Sequence, residues 1–336
     1  MFTKHPILYR SLLPLTRTIT SSSSSSLQQA VKNLVEAESY SEIPSLFASS
    51  KPSKGDPNPF LFLSSIHEDR RTKIVDDILQ SWIPLIPRSF PRAAYSCLLT
   101  YILQSPSSLP LALAVLQQIL RSGSKPERQI HLMLSSAWID RVSECGSAAS
   151  VLRGMKSIGY QPDCVTVNYI IYSLCAVDRL REAVNVLKGM GRVGCASDSE
   201  SYGIVIGAFC SSGRTAGAVD LLKEMVVRNG LMPHTNTVGK VAAALRADRD
   251  MKTAVEMVEM LEREGCHVHF EVYESVLKGC VERKEHVLAG KVGIRMADRG
   301  FIPYIKIRQK VVDGLITAGE WDLACVVRQR FAELSS

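Results

Sequence analysis

No Asp or Glu occurs before Glu36, while Lys4, Arg10, Arg17 and Lys32 all lie in that stretch. The formal net charge of +7 is therefore concentrated at one end. Setting those four bases aside leaves 36 Lys and Arg against 33 Asp and Glu, a net of +3. The body of the chain is nearly balanced and offers only a weak electrostatic case for nucleic acid. No apolar run approaches the ~18–20 residues that a membrane-spanning helix needs. The nine Cys are scattered, and none forms a CxxC pair, which argues against a zinc ribbon or a dithiol redox motif. They read as reduced thiols that fill space. Cys266, His267 and His269 make a CHVH corner, but no second Cys/His cluster completes a metal site around it. The chain also lacks a Gly-rich phosphate loop, a GxSxG elbow and an HExxH helix, so no catalytic machinery is legible.

What the first residues do contain is MFTKHPILYRSLLPLTRTITSSSSSS, basic, rich in hydroxyls and carrying spaced rather than continuous apolar groups. That is the profile of an organellar transit peptide over 1–26, not of a secretory signal with its unbroken apolar core. The Arg residues and large apolar side chains favour the mitochondrion, with the plastid less favoured because only the Ser21–Ser26 run points there. A disordered tail is the alternative. The composition beyond it, 46% hydrophobic and 22% charged over 336 residues, is that of a folded chain.

The chain repeats. VTVNYIIYSLC (Val165–Cys175) returns thirty-five residues later as ESYGIVIGAFC (Glu200–Cys210). An Ala recurs at 148, 183, 218, 254, 289 and 324, spaced 35, 35, 36, 35 and 35. Seven places on stands a larger apolar residue: Met155, Met190, Met225, Leu261, Met296 and Phe331. Gly159, Gly194, Gly230, Gly265 and Gly300 follow. The single longer interval falls in one place, at VVRNGLMPH. Each period reads as two helices. The first has apolar residues at helical spacing, such as Ile170, Ile171 and Leu174, and a short break follows. The second carries the Ala as a packing residue and ends on a Gly suited to a left-handed cap. Helix pairs that cannot each enclose a core must stack. The expected fold is all-α, an α-solenoid of helix-turn-helix repeats of about 35 residues. The Cys at 175 and 210 then occupy one place in successive first helices.

CVTVNYIIYSLCAVDRLREAVNVLKGMGRVGCASD and SESYGIVIGAFCSSGRTAGAVDLLKEMVVRNGLMPH resemble the pentatricopeptide repeat family of plant organelles, in its short P-type form. The resemblance covers residues 92–336, with repeats near 92–127, 129–163, 164–198, 199–234, 235–269 and 270–304 and a truncated one at 305–336. Residues 27–91 fit the pattern poorly. Gln28–Phe47 and Phe60–Ile83 look helical, separated by the Pro-rich SSKPSKGDPNP, and read as a divergent N-terminal cap. The last residues fall inside the truncated repeat, so no C-terminal catalytic domain is expected.

The resemblance implies a single-stranded organellar RNA as partner, about one base per repeat, no cofactor and no catalysis. It assigns base reading to the fifth and last residues of each repeat: Met133 with Asp163, Asn168 with Asp198, Gly203 with His234, Gly239 with His269, and Glu274 with Tyr304. Only Asn168/Asp198 is a pair that the family associates with a base, uracil. An Asn amide supplies a donor and an acceptor to a uracil edge and Asp orients it, with Val165 against the base face. The plainer reading of both residues is turn and helix capping. Gly203 and Gly239 have no side chain to read with. Glu274 is acidic where a donor/acceptor is wanted, and Val165's counterparts include Glu200 and Glu271. The family's Lys after the first helix is replaced by Ala176, Ser211, Ala247, Glu282 and Thr317. These departures keep a second reading open: a structural or protein-binding solenoid inside a protein complex, such as a mitochondrial ribosome subunit.

Overall fold

The computed structural model describes residues 23–49, 56–85, 91–104, 109–126 and 128–334, and the first 22 residues of the expected transit segment lie outside them. Every regular element among the described residues is helical. None of these helices is long and apolar enough to cross a membrane. The chain divides into two compact units, one ending at Tyr101 and one beginning at Ile102.

In the first unit the helix expected over Gln28–Phe47 is two helices, α1 (Ser23–Glu36) and α2 (Ile43–Ser49). Pro44 has no N–H to continue a ladder but is tolerated in a first turn, so it fits the start of α2. Glu38 reverses the chain with φ 54, and the Ser39 amide closes back on the Leu34 carbonyl at 2.9 Å. The second expected helix, Phe60–Ile83, is likewise split, into a 3-10 turn at Leu61–Ser65 and α3 (Glu68–Trp82). With α4 (Arg92–Leu103) these elements close on aromatic residues. Phe47 stacks on Phe60 at 6.1 Å, and Trp82 meets Tyr95 edge-on at 4.9 Å. The Trp82 indole donates to the Tyr40 carbonyl at 2.8 Å, which satisfies its one polar atom.

The second unit starts with α5 (Leu109–Arg121), buried at every position from Leu111 to Ile119. Paired helices follow. α6 (Arg128–Cys145) precedes α7 (Ala148–Ser157), and α8 (Cys164–Ala176) precedes α9 (Leu180–Gly189). Then come α10 (Ser199–Ser211) with α11 (Thr215–Lys223) and α12 (Thr235–Ala247) with α13 (Met251–Arg263). The last pairs are α14 (Phe270–Glu282) with α15 (His286–Asp298) and α16 (Ile305–Thr317) with α17 (Trp321–Glu333). The first helices pack in one row, α6 on α8 on α10 on α12 on α14 on α16. Each layer contacts its neighbours, as a solenoid requires. The recurrent Ala lies in the core from end to end, fully buried at 183, 218, 254 and 289, and so does the apolar residue seven places later.

The layers are not identical. Ala183 is the fourth residue of α9, whereas Ala148 is the first of α7, because α6 runs for 18 residues where the later first helices have 13. The chain does not reverse until Gly146, φ 78. The expected left-handed caps are present, for example Gly194 at φ 84. A second left-handed position between the helices of each pair was not anticipated, and Asp178, Arg249 and Lys284 hold it without being Gly, at φ 56 to 63.

The extra residue of the one 36-residue interval has a definite structure. Elsewhere the amide after the capping Gly closes on the carbonyl of the recurrent apolar residue: Cys195 on Met190 at 3.2 Å, Cys266 on Leu261 at 2.8 Å and Phe301 on Met296 at 3.0 Å. In the longer repeat Leu231 makes the same bond to Met225, at 3.0 Å. The added residue between them is taken up as a π turn, Glu224–Arg228, the usual form of a one-residue insertion in a helix.

Candidate nucleic-acid interface

The last residues of the repeats all fall at the start of a first helix. Asp163, Asp198, His234, His269 and Tyr304 are the N-caps of α8, α10, α12, α14 and α16. A carboxylate there accepts from the exposed amides of the first turn, and the two Asp do so. Asp163 Oδ1 accepts from the Thr166 amide at 2.9 Å and hydroxyl at 2.6 Å, and Oδ2 accepts from Arg121 at 3.0 Å. The two His and Tyr304 make no side-chain cap. Their side chains are not engaged by the helix end.

The fifth residues stand one turn into the same helices. Asn168, 6% exposed, sits beside the α10 cap through a residue that the sequence reading missed, Ser201. Ser201 is fully buried. Its hydroxyl lies 2.6 Å from Asn168 Oδ1 and 2.8 Å from Asp198 Oδ1, and its amide donates to Asp198 Oδ1 at 2.7 Å. Asp198 thus closes a capping box with Ser201 and is joined to Asn168 in one network. Burial alone raises the Asp198 pKa, but hydrogen bonds from Ser201 and Asn168 outweigh it and hold the carboxyl below its ordinary range. The same balance of burial against bonds from Thr166 and Arg121 depresses Asp163. Asp198 is therefore ionised at neutral pH and fixes the amide. The turn-capping role applies to Asp198 and Asp163, while Asn168 lies inside α8.

The other assigned residues are placed as follows. Val165 is 60% exposed beside Asn168 on α8. Met133 is half-buried on α6. The α6 ring of His131 stacks on Tyr169 at 5.2 Å, meets Tyr172 edge-on at 5.1 Å and hydrogen-bonds Ser173 at 2.9 Å. Glu274 is joined to Tyr304 through Lys278, a second residue not picked out from sequence. The Lys278 ammonium is 3.0 Å from the Glu274 carboxylate and 5.7 Å from the Tyr304 ring centre. His269 faces His267 edge-on at 4.7 Å. Among the described residues no group of three His, Cys, Asp or Glu is placed to hold a metal ion. Gly239 has open space where a side chain would project. Gly203 and His234 both line an open groove that also takes in Tyr172, Gly207, Thr237 and Lys240.

The PPR repeat family model matches residues 162–211, and the PPR repeat model matches residues 200–230. The pentatricopeptide repeat-containing protein At1g06270 of Arabidopsis thaliana is 55% identical over 324 residues, which cover 96% of this chain and 94% of that one. Among solved structures, the pentatricopeptide repeat protein PPR10 from maize is 18% identical with a TM-score of 0.41. That match covers 87% of this chain but only 42% of the maize chain. PPR10 in complex with an 18-nt psaJ RNA element is 14% identical, with a TM-score of 0.34 and 50% of that chain covered. The Arabidopsis match, at 55% identity, spans nearly the whole of both chains: the chain belongs to the pentatricopeptide repeat family.

Proposed function

We propose that this protein binds a short single-stranded RNA along the row formed by α8, α10, α12, α14 and α16, about one base to a repeat. It acts without catalysis by occupying a transcript. The basic, acid-free leader directs it to mitochondria, so the transcript is an organellar one whose stability, splicing or translation depends on that occupancy. The observation that carries the reading is the Asn168–Ser201–Asp198 network. The single hydroxyl proton of buried Ser201 is shared between the Asn168 amide oxygen and the ionised Asp198 carboxylate, and the Asn168 side chain hydrogen-bonds that carboxylate as well, at the junction of two layers. The amide supplies both a donor and an acceptor, as a uracil edge demands. Val165, exposed at 60% beside it, offers the apolar face for the ring.

The test is a fluorescence-anisotropy titration of RNA oligonucleotides that differ in one base. Wild type prefers uracil at one position, and Asn168→Ala removes most of that preference while leaving general affinity nearly intact. An unchanged preference in Asn168→Ala and Asp198→Ala sinks the assignment. Crosslinking in intact organelles separates the second reading: reads confined to ribosomal RNA, or none above background, mark a structural subunit.

A further inference from the structure

The second helices of the solenoid turn one stripe toward the layer that follows. In α11 that stripe holds Thr215, Val219 and Leu222, and in α13 Met251, Val255 and Val258, all buried. In α15 it reads His286, Gly290 and Gly293. The next layer is what covers it, since Leu315 and Leu323 lie against Gly290 and Phe331 lies against Gly293. The same positions of α17 are Trp321, Cys325 and Arg328. Among the described residues nothing lies over them: Trp321 is 61% exposed, and Cys325 and Arg328 are exposed with it. A solenoid end that faces water carries a polar outer surface. An open Trp beside an Arg is instead the composition of an interface centre.

Charge points to the occupant. Asp322 and Arg328 are both exposed, and neither makes an ion pair among the described residues, whereas Arg330 is shared between Asp298 and Glu333. The two stand three residues to either side of Cys325. Two α17 helices laid antiparallel about a two-fold axis at Cys325 therefore bring Asp322 of each copy level with Arg328 of the other. In that register Trp321 enters between Cys325, Arg328 and Ala332 of the facing helix. Cys and Ala are small enough to leave a hole for the indole, and the guanidinium lies on its face. We infer that the outer face of α17 docks on the same face of a second copy of this chain. The inference stands apart from the RNA reading, which places nothing on α17.

Sedimentation velocity of the full chain tests it. A monomer–dimer equilibrium is expected at micromolar concentrations, and maleimide labelling of Cys325 should slow as the protein concentration rises. Trp321→Glu changes a side chain that is exposed within one copy, so it should fold with an unchanged Tm at low concentration and weaken association about 30-fold. Asp322→Arg and Arg328→Asp each set like charges level with one another at both ends of the interface and should each weaken it about tenfold. Combining the two restores opposite charges and should recover part of that loss. A chain that stays monomeric throughout the micromolar range overturns the dimer. A dimer that tolerates Trp321→Glu and leaves Cys325 labelling unslowed overturns this face. A combined variant no better than either single one overturns the antiparallel register.

Discussion

Replacing Ser201 by Ala removes one oxygen from a fully buried site and tests the network directly. The α10 cap survives, because Asp198 Oδ1 still accepts from the residue-201 amide. What is lost is a hydroxyl bond to an ionised carboxylate, and with it the contact 2.6 Å from the Asn168 amide. A buried group left without its partner costs about 1–3 kcal/mol, which puts the expected loss near ~2 kcal/mol. For a unit of this size ~1 kcal/mol corresponds to roughly 2–4 °C, so Tm should fall by about 4–8 °C. Asn168→Ala alone should cost less, about 1 kcal/mol, since the Ser201 hydroxyl keeps Asp198. The double variant should then cost less than the two added, with a coupling of about 1 kcal/mol. Thermal melts of the four proteins at neutral pH measure this. Additivity within ~0.3 kcal/mol would show that Ser201 and Asn168 are neighbours without being partners, and the orientation argument for the amide would fail.

Three further outcomes are expected. Asp163 and Asp198 both have depressed pKa values. Their contribution should be fully present above the ordinary carboxylate range and lost as pH falls from that range through the depressed values, a loss of stability that Asp163→Asn and Asp198→Asn should blunt in acid melts. Lys284→Gly, at a left-handed position with φ 60, should raise stability by up to ~1 kcal/mol, whereas Gly265→Ala should lower it by about 1–2 kcal/mol, both read by thermal melts. Burial pushes the Cys175 and Cys280 thiols up to about 12, so thiol labelling at neutral pH should reach the exposed Cys325 well before either.

The solenoid was legible because packing imposes it at fixed positions. Ala183, Ala218, Ala254 and Ala289 must be small for neighbouring layers to meet, and the Gly at 194 and 265 must be left-handed, so residue type reports structure there. The turns at Asp178, Arg249 and Lys284 were not legible. The same backbone reversal is made there by residues that do not favour it, held by closing bonds such as Arg179 N to Leu174 O at 2.8 Å. Pro44 was visible, yet periodicity alone carried Gln28–Phe47 across it as one helix. At the interface, Asn168 and Asp198 could be named from the family pattern. Ser201 was legible as a capping residue, since Thr166, Ser201 and Thr237 recur three places after Asp163, Asp198 and His234, but its contact with Asn168 was not, because that needs the packing of α8 on α10.

The π turn at Glu224–Arg228 separates the count of residues from the count of layers. One added residue there changes the numbering of everything downstream, and the stack does not notice. A chain built this way can gain or lose single residues at the ends of its second helices over generations while the surface it presents stays in step. Alignment of such proteins by residue arithmetic will drift wherever one of these turns intervenes. Alignment by the closing bond, from Cys195 to Met190 or from Leu231 to Met225, will not.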